Sequence, residues 1–270
     1  IYLDARDVLP PFTKGALRGG THAHTWSSDG LWVSFTYNDA IMAELEKSGI
    51  DDIKDLRMVG VMAPFGPVEV EHDGSGENID GEMFTVIVSE VTEDPVPGTD
   101  QIDRAYEEGW VGEKGYMKID GGWQERAVAF LGDVRDPSGK KLTEVFIADI
   151  PSDITKESAG KSLSGTKTTR PSPPRGTIQR RLTYTEDREF PGVFGPRHWL
   201  RSTPDGSKIL FLMRDEKGLI QIFSISPNGG EPEQITFNDF SVETTFSISP
   251  DGNFIAYGYQ NSVYVSSVNG

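Results

Sequence analysis

One short phrase, a Ser or Thr followed after one residue by Asp-Gly, constrains the fold of this chain more than any other. It begins at Ser27, Thr203 and Ser249, and each copy leads into an apolar run rich in β-branched and aromatic side chains. Asp-Gly is typical of tight turns, because glycine tolerates the positive φ that such turns need. Each copy therefore predicts a strand, a tight turn and a second strand.

The spacing of the copies predicts a β-propeller. Asp205 and Asp251 are 46 positions apart, and Asp29 lies 176 positions before Asp205, which corresponds to about four more units of that size. A repeat of about 40–45 residues with four strands per unit is typical of propeller blades. We therefore predict an all-β fold of four-stranded blades, about five to six in number, with short helical insertions.

The ends of the chain and one polar stretch predict its domain organisation. The chain starts at Ile1 without Met and stops at Gly270, and both ends adjoin strand-like runs. We expect residues 1–270 to be a single, partial propeller domain cut from a longer one. The stretch 152–177 is rich in Ser, Thr, Gly and Pro with several Lys and Arg, and this composition predicts a flexible insertion.

Two segments carry helix signals. Asn38 or Asp39 can cap a first helix, and Gly49 can end it. Thr99 and Asp100 predict the start of a second helix over 101–108.

Charge and composition limit the classes of partner. The net charge is −16 and cysteine is absent, which disfavours nucleic acid and anionic membranes and excludes disulfides and thiol catalysis. No apolar run is long enough to insert into a membrane. The sequence therefore favours a protein or glycan ligand, bound in the propeller channel or on its rim.

Three histidines occupy related positions in the repeat. His22 lies five residues before Ser27, and His198 lies five residues before Thr203. His24 follows His22 by two residues, so the pair is expected to share one face of a strand. Neutral imidazole is a common metal ligand, and the pattern predicts a metal or substrate site; hydrogen-bonded or solvated scaffolding in a water-filled channel is the alternative.

Arg18 and Arg197 adjoin these histidine strands. A guanidinium can bind a carboxylate through two parallel hydrogen bonds, so both are candidate ligand-binding residues. No catalytic residue is marked by position, and nucleophile-elbow, phosphate-loop and metalloprotease-helix motifs are absent from the sequence. Whether the protein is an enzyme stays open at this point.

The best-preserved repeats lie over 182–268 and around 20–37. Pro-Asp-Gly, then Ile-Leu-Phe or Ile-Ala-Tyr, then Asn-Gly-Gly and Gln-Ile-Thr resembles the TolB-type, WD40-like propeller repeat. The phrases at 19–24 and 105–112 resemble an uncharacterised bacterial family of such propellers, which implies missing blades before Ile1 and no known activity. Because TolB is a periplasmic docking protein, the resemblance implies a binding module and favours the periplasm over the cytoplasm.

The histidine pattern also resembles a more distant group, the metal-dependent oligogalacturonate lyases. Those enzymes place a His-x-His pair before one blade turn and a further His before another, around Mn²⁺ in the channel. The resemblance implies that His22 and His24 form the pair and that His198 is the single ligand of a divalent metal such as Mn. The sequence thus leaves two hypotheses: a binding module for a protein or glycan, or a metal-dependent polysaccharide lyase or hydrolase.

Overall fold

A computed structural model describes residues 2–50 and 52–269, which are all-β apart from one short helix. None of these residues belongs to a helix long and apolar enough to cross a bilayer. The chain divides into two compact units. Unit 1 is Ile1–Pro95, Gln101–Tyr106 and Ala148–Gln179, and unit 2 is Val96–Asp100, Glu107–Ile147 and Arg180–Gly270. The single-domain assignment for 1–270 stays a prediction.

Unit 1 contains a four-stranded antiparallel sheet that follows chain order. The elements of this region are β1 (Ala5–Arg6), β2 (Ala16–Leu17), β3 (Gly19–Trp26), β4 (Val33–Asp39), α1 (Ala40–Lys47), β5 (Met58–Ala63) and β6 (Phe84–Ile87). The sheet order is β3-β4-β5-β6, and β1 pairs with β2 in parallel. Every residue of β5 and β6 is buried, which explains why these strands are almost entirely apolar, Thr85 being the exception, rather than alternating.

The first helix signal is confirmed. The Asp39 carboxylate accepts hydrogen bonds from the backbone N–H groups of Ile41 (3.0 Å) and Met42 (3.4 Å), as an N-cap residue does. Gly49 follows the helix with a φ of 66°, a conformation that suits glycine. The buried Met42 side chain anchors α1 in unit 1.

The second sheet includes residues that the sequence predicted to be helical. Its region contains β7 (Ala105–Trp110), β8 (Tyr116–Met117), β9 (Trp123–Gln124), β10 (Ala127–Arg135), β11 (Lys141–Asp149) and β12 (Ile178–Arg181). The sheet order is β12-β11-β10-β7, and β8 and β9 form a separate hairpin. The helix predicted over 101–108 is therefore wrong: an eight-residue helix is marginal alone, and pairing with β10 decides the conformation instead.

Unit 2 also contains a four-stranded and a three-stranded antiparallel sheet. Their strands are β13 (Arg201–Ser202), β14 (Ile209–Arg214), β15 (Ile220–Ile225), β16 (Glu233–Gln234), β17 (Ser247–Ile248), β18 (Phe254–Tyr259) and β19 (Ser262–Ser267). The orders are β13-β14-β15-β16 and β17-β18-β19. Leu212, Ile222, Phe246 and Ile255 belong to the apolar cluster between these sheets.

The three Asp-Gly turns have the same hydrogen-bond pattern. Each joins the first strand of a sheet to the second, and in each the Ser or Thr hydroxyl donates to the Asp carboxylate at 2.5–2.6 Å. The same hydroxyl oxygen accepts from the backbone N–H five residues later, at 3.0–3.1 Å. These are equivalent turns of β-propeller-type blades, so the repeat and its phase are confirmed.

The number of blades differs from the prediction. The described residues form three four-stranded sheets and one three-stranded sheet, and the 176 positions between Asp29 and Asp205 cover two blades rather than four. The stretches 64–83, 88–104 and 150–177 lie between strands and account for the extra length. Insertions of this kind defeat an estimate based on a fixed period.

The stretch 152–177 packs onto unit 1. Arg170 Nη2 donates to the Lys54 carbonyl and contacts the Glu93 carboxylate, each at 2.7 Å. Ile154 and Leu163 are buried. The stretch thus has its own apolar anchors; its predicted flexibility stays a prediction.

Candidate functional site

Strand β3, which carries two of the predicted metal ligands, contains a β-bulge. His22 pairs with Thr36 and Thr25 pairs with Ser34, so two residues of β3 stand opposite Phe35. Ala23, one of these two, has a φ of 61°, a left-handed conformation that is uncommon for alanine. An extra residue in one strand breaks the two-residue alternation of side chains.

The bulge separates His22 from His24. His24 Nε2 lies 3.0 Å from Thr21 Oγ1, and its ring centre is 6.5 Å from that of Phe35. Since Thr21 pairs with Tyr37, His24 lies on the face of Phe35 and Tyr37. His22 pairs with Thr36 and therefore lies on the opposite face. The expectation that the two imidazoles share a face is wrong.

A residue with positive φ occurs at the same position in β7. Glu107 has a φ of 55° and precedes Trp110 by three residues, just as Ala23 precedes Trp26. The two strands are therefore equivalent first strands of their blades. The alternation of residue types gives no sign of this irregularity, so sequence reasoning missed it.

Both ring nitrogens of His198 form hydrogen bonds to the backbone of unit 2. His198 is buried, and its Nδ1 donates to the Pro196 carbonyl (2.9 Å) while its Nε2 accepts from the Leu212 N–H (3.2 Å). These bonds select the neutral tautomer with the proton on Nδ1, and burial lowers the pKa of the ring. A metal at Nε2 would have to displace a backbone hydrogen bond.

Among residues 2–50 and 52–269, no group of three or more His, Asp or Glu side chains is placed to hold a metal ion. The assignment of His22, His24 and His198 to a divalent metal such as Mn stays a prediction, and so does the lyase or hydrolase activity that depends on it.

Arg18 is fully buried in unit 1. Its Nε donates to Asp39 Oδ2 (3.2 Å), its Nη2 also contacts that carboxylate, and its Nη1 donates to the Thr166 carbonyl. The Phe12 ring lies 4.8 Å from its Cζ. The protein itself therefore engages all three nitrogens of this guanidinium, which links β2 to the start of α1 and to the stretch 152–177.

Arg197 lies at the surface of unit 2, and 61% of its side chain is exposed. Its Nε lies 3.1 Å from the Glu107 carboxylate, and its Cζ lies 4.9 Å from the Trp199 ring. It is accessible to a ligand but already has an acidic partner. The ligand-binding roles of Arg18 and Arg197 stay predictions.

A cleft of about 370 Å³ opens on the β13–β16 blade of unit 2. It lies beside the β14–β15 turn and the outer strand β16. Charged and aromatic side chains share its lining, including Arg188, Asp215, Glu216, Lys217, Phe223 and Phe237. A ligand of a few residues or sugar units fits this volume, which is at the small end of the range of known ligand sites.

Arg188 lines the cleft and, like Arg170, has one buried donor without a partner among the described residues. Its Nη2 donates to the Arg214 carbonyl (3.1 Å), and its Cζ lies 5.6 Å from the Phe223 ring. Its Nε is buried and has no hydrogen-bond partner among the described residues. A buried donor left without a partner costs about 1–3 kcal/mol. Because Nε itself is closed to solvent, a ligand in the cleft would contact the rest of this half-buried side chain.

The β14–β15 turn positions the acidic side chains of the cleft. Asp215 Oδ1 accepts hydrogen bonds from the N–H groups of Lys217 and Leu219, both at 2.9 Å. The side chains of Glu216 and Lys217 are exposed at this turn. The cleft therefore offers two cations and two carboxylates.

Phe237 stands on a rigid part of the cleft wall. It is 76% exposed, although the neighbouring Thr236 is buried. The buried Gln221 side chain donates to the Asn238 carbonyl (2.9 Å) and accepts from Thr236 Oγ1 (2.8 Å), and Tyr257 OH donates to Asn238 Oδ1 (3.1 Å). These bonds fix the backbone on both sides of Phe237, so its exposure is a property of the fold.

Sequence reasoning did not find this cleft. Its residues come from separate stretches between 188 and 238 that meet only after β14, β15 and β16 have paired. The one available signal was Phe237 itself, a phenylalanine directly after a strand and within a polar stretch.

Comparisons with known proteins agree on the lack of an assigned activity. The model of a family described as "Protein of unknown function (DUF3748)" matches residues 1–77. The uncharacterized protein YidR of Escherichia coli K12 is 46% identical over 264 residues, covering 97% of this chain and 59% of that protein. This chain therefore spans about three fifths of the length of that curated relative.

Two similar solved structures are described as TolB proteins, and their sequence identity to this chain is low. TolB from Acinetobacter baumannii is 15% identical with a TM-score of 0.42, and the match covers 93% of this chain and 42% of that one. A putative TolB from Agrobacterium tumefaciens is also 15% identical, with a TM-score of 0.35, over 88% of this chain and 69% of that one.

Proposed function

We propose that the protein is an interaction module that binds a short segment of a partner protein in the cleft of unit 2. The observation that carries this proposal is the exposed Phe237 ring on a hydrogen-bonded wall of a cleft whose lining also contains Arg188. Aromatic and Arg side chains near the centre of an interface are among the residues that dominate its binding energy.

The composition of the cleft favours a peptide over a glycan. Both charge signs line it, together with the rings of Phe223 and Phe237 and the ring of Pro232. A peptide can supply a carboxylate, a cation and an apolar side chain within a few residues. A neutral glycan carries no charge, and a uronate supplies only the negative one.

The test screens the intact protein against displayed random heptapeptides and, in parallel, against an array of neutral and uronate oligosaccharides. We expect enrichment of peptides and none of oligosaccharides. Phe237→Ala should weaken peptide binding by at least tenfold, because truncating an interface aromatic costs about 2 kcal/mol or more.

Phe254→Ala is the matched control, since Phe254 is an exposed phenylalanine of the same unit on β18, outside the cleft. It should bind as the wild type does. Enrichment of oligosaccharides that depends on Phe237 would replace the protein segment by a glycan, and peptide binding unaffected by Phe237→Ala would remove the cleft from the proposal.

A further inference from the structure

Arg188 gives the cleft a subsite of defined chemistry. We infer that this subsite binds a carboxylate of the bound segment through the part of the half-buried Arg188 side chain that lines the cleft. This inference rests on the proposed function, because it assigns one group of the same ligand.

The guanidinium is positioned before any ligand arrives. The Arg214 carbonyl holds Nη2 and the Phe223 ring lies against the same group, so little side-chain freedom remains to be lost on binding. The Nε–H is left with no partner among the described residues. A charge-assisted hydrogen bond to a carboxylate is shorter and stronger than one to a neutral acceptor.

Lys217 supplies a second cation in the same lining. Its side chain is exposed at the β14–β15 turn and forms no ion pair with a described residue. Together Arg188 and Lys217 favour an anionic group, while Asp215 and Glu216 set a limit on how negative that group can be.

That limit distinguishes a carboxylate from a phosphate. A phosphorylated residue carries about −1.5 to −2 charges near neutral pH, and the two acidic side chains of the lining would repel it more than a single negative charge. A carboxylate can pair with the cations of the lining, while a neighbouring basic or apolar residue of the ligand can contact its carboxylates or its phenylalanine rings. The carboxylate can come from an Asp or Glu side chain or from the C-terminus of the bound segment.

The experiment changes the ligand before it changes the protein. Peptides that bind the intact protein are synthesised in pairs with Glu or Gln and with Asp or Asn, each with a free or an amidated C-terminus. Affinities are measured by titration calorimetry. We expect one of these neutralisations to weaken binding at least tenfold and thereby to identify whether the carboxylate belongs to a side chain or to the terminus.

The protein variants then locate the carboxylate. Arg188→Met should lower the affinity of the carboxylate peptide to that of its neutral twin, and Arg188→Lys should recover only part of the difference, because Lys lacks the planar guanidinium with its several donors. Lys140→Met removes one exposed positive charge of unit 2 outside the cleft and should keep the full discrimination. Circular dichroism melting shows whether each variant is folded, and the paired peptides test the inference on the unchanged protein.

The outcomes separate this inference from the proposed function. Peptide binding that depends on Phe237 but shows no preference for a carboxylate overturns the carboxylate subsite alone. A carboxylate preference that Arg188→Met leaves intact also overturns it. The absence of any Phe237-dependent peptide binding overturns the proposed function and this inference together, and a phosphopeptide preferred over its carboxylate counterpart overturns the charge argument.

Discussion

Arg18 of unit 1 and Arg188 of unit 2 are two guanidinium groups beside phenylalanine rings, and they differ in how completely the protein uses them. Arg18 is fully buried and all three of its nitrogens have partners, with Asp39 taking two of them. Arg188 has a buried Nε with no partner among the described residues and lines a cleft. The comparison indicates that the fold uses the Arg18 guanidinium completely, whereas Arg188 lines a cleft, where we propose that it contacts a ligand.

The largest expected effect tests the structural half of this comparison. Arg18→Met leaves the Asp39 carboxylate buried without its cation and should destabilise the protein by about 3–5 kcal/mol. Arg188→Met loses one hydrogen bond to a carbonyl and removes an unsatisfied donor, so it should change stability by about 1 kcal/mol or less. Urea unfolding followed by tryptophan fluorescence measures both.

A double variant sharpens that result. Arg18→Met combined with Asp39→Asn leaves no unpaired charge and retains a good N-cap for α1. Its loss of stability should be smaller than the sum of the two single losses. Equal destabilisation by Arg18→Met and Arg188→Met would erase the distinction between the two arginines.

His198 allows the same comparison for a second residue type, and its substitution should have an intermediate effect on stability. Both of its ring nitrogens bond to the backbone, so His198→Gln should cost about 1–3 kcal/mol, and added Mn²⁺ should not stabilise the wild type. If submillimolar Mn²⁺ raises the melting temperature of the wild type but not that of the variant, His198 is a metal ligand after all.

The pH dependence of stability provides a second signature of His198. Burial lowers the pKa of the folded-state ring, so below the unfolded pKa of about 6.5 the unfolded state binds the proton more readily. The stability that this residue contributes is therefore complete above that pH and is lost as the pH falls towards the folded pKa. His198→Gln should therefore reduce the loss of stability between pH 7 and 5.

The smallest expected effect on stability concerns the Asp carboxylates of the turns, which accept hydrogen bonds within the turn but lie at the surface. Hydrogen bonds from Thr203 and Ser207 lower the pKa of Asp205 against the opposing effect of desolvation. Its contribution is therefore present above the unfolded pKa of about 3.9 and is lost as the pH falls below it. Asp205→Asn should lower the free energy of unfolding by about 0.5–1.5 kcal/mol at pH 7 and reduce the loss of stability at acid pH. If the loss at acid pH is the same in the variant, this turn does not cause it.

Sequence reasoning succeeded where a few adjacent residues decide the structure. The turns at Asp29, Asp205 and Asp251 are local motifs whose hydrogen bonds close within six residues, and the Asp39 cap of α1 is equally local. The all-β, propeller-type fold followed from these turns and their repetition.

Sequence reasoning failed where pairing between segments far apart in the chain decides the structure. The stretch around Ala105–Trp110 has helix signals but becomes a strand because β10 pairs with it. The bulge at Ala23 depends on the register with β4, so the facing of His22 and His24 could not be read from alternation. The burial of Arg18 and the unsatisfied Nε of Arg188 arise from segments far apart in the sequence, and identical residue letters carry no trace of that difference.

The most direct test observes the two arginines in one sample. In ¹H–¹⁵N spectra of the arginine Nε–H groups, assigned with the Arg18→Met and Arg188→Met variants, the intact protein is titrated with its best-binding carboxylate peptide. We predict that the Arg188 chemical shift changes with peptide concentration along the same saturation curve as the calorimetric titration, while the Arg18 chemical shift does not change. Saturable binding with a stationary Arg188 signal would contradict the account.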